Sequence, residues 1–153
     1  MITGILALVA GLALGLAGGL QYFIPGFLEP YLPFQKIRPL HVSLVVAWIF
    51  MASVGGIYRY LPGVTGTPLR FPRLAWVHYI IFVLTGLAIL VCYVAGIFGG
   101  REYFEYPPAL SVPVLLSWCL LVYVYFRSVL RVNPVRWPVY LWMWATGIIF
   151  FFI

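Results

Sequence analysis

"RPLHVSLVVAWIFMASVGGIYRYLP" (residues 38–62) is formally charged only near its ends, at Arg38 and Arg59, and is almost wholly apolar between them. At ~1.5 Å per residue a helix of this length covers a hydrocarbon core of ~30 Å. In lipid the backbone must satisfy its own hydrogen bonds, and the run is too long and too uniformly apolar for a barrel strand, so a helix follows. His41, one of only two histidines in the chain, stands about one turn inside it.

Four further runs of the same kind flank this one. Apolar segments are predicted at about 2–24, 38–61, 74–98, 109–126 and 137–153. They make the fold class all-α: a polytopic transmembrane helical bundle of about five helices, in a single membrane domain over 1–153. Composition agrees. Of 153 residues, 65% are hydrophobic and only 8% charged, against roughly 25% charged in an ordinary soluble domain. Mean hydropathy is +1.08. The natural solvent is the lipid bilayer.

The net charge of +6 does not point to nucleic acid, because the basic residues stand one to three at a time between apolar runs rather than in a polar stripe. They read as topology signals. The junction between the second and third helices holds Arg59, Arg70 and Arg73, and the one between the fourth and fifth holds Arg127, Arg131 and Arg136. The opposite loops carry Lys36, Arg38 and Arg101 with all three acids. The positive-inside rule then predicts a cytoplasmic N-terminus and an outward-facing "GGREYFEYPP". No basic residue precedes the first apolar run, so it is expected to be a retained helix rather than a cleaved signal. Tyr22, Tyr31, Tyr58, Tyr60, Trp76, Tyr103, Tyr106, Tyr123, Tyr125 and Trp137 fall near predicted helix ends, where amphipathic rings prefer to sit.

Gly11-x-x-x-Gly15 and Gly15-x-x-x-Gly19 put small residues on one face of the first helix, where another helix could approach closely. On the second helix, Val45, Trp48, Ala52 and Gly55 share the side of His41. That face suits either a flat cofactor or a close helix, and the residues leave both open. An imidazole in lipid needs a partner, so structural hydrogen bonding, heme ligation and proton relay all stand as readings of His41. His78, in "RLAWVHYII", lies near the other membrane face, roughly 20 Å from His41 along the normal. The two cannot ligate one iron, whose imidazole bonds are each ~2 Å, and His78 reads as a hydrogen-bonded interfacial side chain. Cys92 and Cys119 lie in apolar runs without a CxxC and read as buried thiols. Glu102 and Glu105, in "GREYFE", offer oxygens to a hard cation such as calcium, although paired acids in a loop are usually just solvated.

Three stretches together carry a resemblance. "RPLHVSLVVAWIFMASVGGIYRYLP" resembles the second helix of subunit I in the heme–copper oxidase superfamily, particularly its nitric oxide reductase branch. "GGREYFEYPP" is similar to the loop after the third helix of nitric oxide reductases and C-type oxidases, and "WPVYLWMWATGIIFFF" to their fifth helix. The resemblance implies that His41 is an axial ligand of the low-spin heme b. It implies that Glu102 helps to hold calcium beside the heme propionates, with Glu105 the second acid of that loop. Arg38 and Arg101, on the same side by topology, are candidate propionate contacts.

The family's catalytic subunit has about a dozen helices, and its remaining histidine ligands come from later ones. The dinuclear centre that reduces oxygen or nitric oxide therefore cannot be built from His41 and His78. The chain closes "GIIFFFI" inside an apolar run, as expected of a split or truncated subunit. The function so implied is the heme-b-binding, electron-transferring portion of such a subunit I, not catalytic alone. Other membrane subunits would supply the missing ligands and a cytochrome c-type donor the electrons, in a prokaryotic inner (cytoplasmic) membrane. A heme-free membrane scaffold or assembly subunit of a respiratory complex is the alternative. A dimer sharing one heme between two His41 residues ranks third.

Overall fold

The computed structural model describes residues 1–151. Among them are five α-helices and no strands: α1 (Ile2–Phe23), α2 (Phe34–Thr65), α3 (Pro72–Ala95), α4 (Ser111–Val129) and α5 (Val139–Phe150), with 3₁₀ turns at Pro108–Leu110 and Pro134–Arg136. Four stretches, Ile2–Phe23, Phe34–Thr65, Pro72–Ala95 and Pro108–Val129, are long and apolar enough to cross a membrane, and Val139–Phe150 is a shorter apolar helix. The chain is an integral membrane protein. The last two residues of the predicted fifth segment, 152–153, lie outside the described residues.

The second helix is longer than the sequence predicts, starting at Phe34 rather than 38 and ending at Thr65 rather than 61. The helix runs through Pro39 near its start and Pro62 near its end, each of which removes one N–H from the ladder. The helix absorbs both. Its first N–H groups, from Lys36 and Ile37, are taken by the Pro33 carbonyl. Near its end the Thr65 hydroxyl donates to the Leu61 carbonyl at 3.0 Å and to that of Thr67 at 3.1 Å. Gly26, Gly66 and Gly96 end or turn the loops between helices with positive φ of 82°, 65° and 77°.

By packing, the chain divides into two compact units: Met1–Val54 with Leu84–Val112, and Gly55–Val83 with Pro113–Ile153. In the first, α1 and α2 run antiparallel along a seam of small residues. A Cβ added to Gly4 would lie 3.2 Å from Met51 Cβ, one on Gly11 3.2 Å from Val45 Cγ2, one on Gly15 2.7 Å from His41 Cε1, and one on Gly18 3.0 Å from Ile37 Cγ2. Residue numbers fall on α1 as they rise on α2, which fixes the register. Gly19, predicted to share this face, meets nothing within 4 Å. Its place is taken by Gly18, which is buried. The Val45–Trp48–Ala52 side of α2 is therefore covered by α1 and is a helix-packing face. Lipid tails are as apolar as the helices, so close van der Waals contact rather than hydrophobic expulsion holds such a pair.

In the second unit α4 and α5 are antiparallel, and both cross-links run from a ring on α4 to a backbone carbonyl of α5. Trp118 Nε1 donates to Ile148 O at 3.0 Å and the Tyr125 hydroxyl to Leu141 O at 2.6 Å. Leu141, Ala145 and Ile148 form the buried stripe of α5 at helical spacing. Tyr125→Phe keeps the ring and removes the short bond. It is expected to destabilise the protein by about 1 kcal/mol, near the middle of the range for interhelical bonds in membranes, measured by denaturant unfolding in detergent.

Candidate functional site

His41 sits in the second turn of α2, half-buried against α1. Its ring lies over Gly15, whose missing side chain is the space it occupies: an added Cβ would stand 2.7 Å from Cε1 and 2.8 Å from Nδ1. Nδ1 is 2.7 Å from the carbonyl oxygen of Gly11, one turn along α1 from that floor. A carbonyl only accepts, so Nδ1 carries the proton and donates. Nε2 has no hydrogen-bond partner among the described residues, and in the neutral ring with Nδ1–H it is the nitrogen that carries the lone pair. A backbone acceptor on one ring nitrogen is the usual means of fixing the tautomer of a histidine that binds metal through the other. The residues present thus fit an axial ligand.

Two cations tie the N-terminal end of α2 to the last turn of α3 and to the segment after it. Arg38, one turn before His41, forms an ion pair with Glu105. Lys36 Nζ donates to the Val94 carbonyl at 2.7 Å. Deeper in the same pair of helices the Ser43 hydroxyl reaches the Tyr93 hydroxyl at 3.4 Å. Around Glu105 the loop is folded on itself, with Gly99 N–H donating to the Glu105 carbonyl and an isolated bridge between Arg101 and Phe104. Glu105 is largely shielded, whereas Arg38 is about half-exposed, so the pair is worth little more than a surface salt bridge. A guanidinium has five N–H donors, and Arg38 keeps others for a second carboxylate.

Not every predicted site residue joins this cluster. Arg101 is exposed and lies over the Phe104 ring at 5.6 Å rather than beside Arg38. Glu102 is exposed and has no ion-pair partner among the described residues. Among those residues no three His, Cys, Asp or Glu side chains gather as a metal-binding set. His78, in the other unit, is buried, its Nδ1 3.0 Å from the Tyr58 hydroxyl.

The residues that sequence reasoning did not connect are Gly11 as the acceptor for His41, Gly15 as its floor, and Tyr58 as the partner of His78. The first two were legible as a small-residue face. What was missing was the register between α1 and α2. It follows from matching Gly4, Gly11, Gly15 and Gly18 in reverse order to bulky positions of α2.

The B subunit of the nitric oxide reductase of Stutzerimonas stutzeri is 25% identical over 129 residues, covering 75% of this chain and 27% of that protein. The chain thus spans little more than a quarter of that relative's length. The family model for cytochrome c and quinol oxidase polypeptide I matches residues 1–153. Helices of membrane-spanning length, a tautomer-fixed histidine at the start of the second, and a match over the whole chain carry one conclusion: the protein belongs to the cytochrome c and quinol oxidase polypeptide I family, that of heme–copper oxidase subunit I.

Proposed function

We propose that this chain contributes one axial ligand, His41 through Nε2, to a low-spin heme b, as the electron-transferring portion of a heme–copper oxidase or nitric oxide reductase-like subunit I. The observation that carries this reading is the hydrogen bond from His41 Nδ1 to Gly11, which orients the ring and leaves Nε2 as the nitrogen available to a metal. A bound heme b supplies a one-electron couple. The chain's own residues hold the imidazole in place and present cations at the same end of α2. Arg38 is the better placed of the two candidate propionate contacts, being one turn from His41, and Arg101 the more peripheral. Calcium at Glu102, with Glu105 as the second acid, would draw most of its six to eight oxygens from outside this chain.

The second axial ligand and the dinuclear site that reduces oxygen or nitric oxide come from another chain or from a further region of the same subunit, and electrons from a cytochrome c-type donor. The setting is a prokaryotic inner membrane, with the N-terminus of this single membrane domain on the cytoplasmic side. The alternative, a heme-free scaffold, has one observation in its favour. The His41–Gly11 bond also ties α1 to α2, which a purely structural histidine would do.

A reduced-minus-oxidised visible spectrum of the complex purified gently from its membrane separates the two. A low-spin b-type signal, together with a histidine-rich membrane protein that co-purifies, is expected. A heme-free preparation with no such partner overturns the proposal in favour of the scaffold.

A further inference from the structure

The unit made of Gly55–Val83 and Pro113–Ile153 carries Arg59, Arg70, Arg73, Arg127, Arg131 and Arg136, all exposed. The three acids of the chain, Glu29, Glu102 and Glu105, belong to the other unit. No member of the arginine set forms an ion pair among the described residues.

Two of them, Arg70 and Arg127, are brought to the same end of α4. The Arg70 backbone N–H is 3.4 Å from Ser128 Oγ, which brings the connection between α2 and α3 to the end of α4. The Arg70 guanidinium lies over the Phe71 ring, 5.4 Å from its centroid, and that ring packs on Tyr123 at 5.4 Å. Tyr123 and Arg127 are one turn apart on the exposed side of α4, while Val124 and Ser128 are buried. The same exposed stripe continues through Cys119 and Leu116. Read from the end of α4 inward it passes from cation to phenol to apolar side chain, the order of polarity in a phospholipid.

We propose that this stripe seats an anionic phospholipid, with its phosphate between Arg70 and Arg127, Tyr123 at the headgroup boundary and an acyl chain along Cys119 and Leu116. Guanidinium forks match phosphate oxygens, and tyrosine prefers the interface. Positive charge at one end of a bundle sorts topology, but sorting does not require that Arg70 be held at the end of α4, next to the turn that carries Arg127. A free phosphate would use the arginines alone; the apolar continuation favours a lipid.

The test uses the full chain with its co-purifying proteins in phosphatidylcholine nanodiscs containing a minority of phosphatidylglycerol, reading retained lipid by native mass spectrometry. At about fivefold per arginine near a membrane surface, Arg70→Gln with Arg127→Gln is expected to lower phosphatidylglycerol retention about thirtyfold. Arg59→Gln with Arg73→Gln removes the same charge from the same unit and is expected to change it by less than about threefold. If the first pair fails to assemble, Arg70→Lys with Arg127→Lys keeps the charge, loses the forks, and is expected to retain less lipid than wild type. Unchanged retention in whichever variant assembles overturns the proposal. So does equal loss from both glutamine pairs, which would mean diffuse charge, or displacement by inorganic phosphate, which would mean a free-anion site.

Discussion

His41→Ala is expected to abolish the low-spin b-type signal of the assembled complex while leaving the complex itself intact. The two consequences separate because His41 has two attachments. Its Nε2 is the proposed ligand, and nothing else in this unit replaces it: the other histidine, His78, has its Nδ1 engaged by Tyr58 and belongs to the second unit. Its Nδ1 bond to Gly11 is one interhelical hydrogen bond, worth about 1 kcal/mol in a membrane, too little to dissociate α1 from α2 along a seam four glycines long. The substitution also opens a space the size of the ring above Gly15. Added imidazole is therefore expected to enter it and restore part of the signal. A spectrum that survives the substitution unchanged would remove His41 from the ligand set.

Gly15→Ala is expected to have the next largest effect, although the residue has no side chain and no polar role. The new methyl carbon would stand 2.7 Å from His41 Cε1, well inside van der Waals contact. Either the ring tilts away, lengthening its bond to Gly11, or α1 lifts from α2. Overpacking of this kind costs about 1–3 kcal/mol, and the tilt would also spoil the presentation of Nε2. Both a lower unfolding temperature and weaker heme retention are expected. Gly19→Ala is the control. Nothing lies within 4 Å of that position, and alanine is a better helix former by roughly 0.5–1 kcal/mol, so stability should hold or rise. Equal behaviour of the two variants would mean that the floor under His41 is not a constraint.

The contrast between Gly15 and Gly19 marks where the sequence stops being legible. Apolar runs long enough, or nearly so, to cross a bilayer make the five helices readable without any tertiary information, because lipid leaves the backbone no other solution. The edges of α2 are less legible, since the helix runs four residues further at each end than the turn residues and charges that bound the apolar run. Glycine spacing identifies a packing face but not its azimuth. Gly15 fits both a Gly11–Gly15 and a Gly15–Gly19 pairing, and only the crossing with α2 selects Gly18 over Gly19.

The site follows the same division. His41, Arg38 and Glu105 are visible as chemistry, and topology puts them on one side. Which of them touch depends on relative helix depth. Thus Arg38 finds Glu105 while Arg101 settles on Phe104, and Lys36 finds a backbone carbonyl that no side-chain pattern announces.

The bond from His41 to Gly11 has a kinetic consequence. Its acceptor is a main-chain oxygen of a transmembrane helix, so it forms as soon as α1 and α2 pack and waits for nothing else. The imidazole is already confined to one tautomer and one orientation before any cofactor is delivered. Capture then requires no search among rotamers. A ring held between a glycine floor and a helix carbonyl also has little freedom to move, and as the proposed heme ligand it would keep the reorganisation that accompanies each electron small.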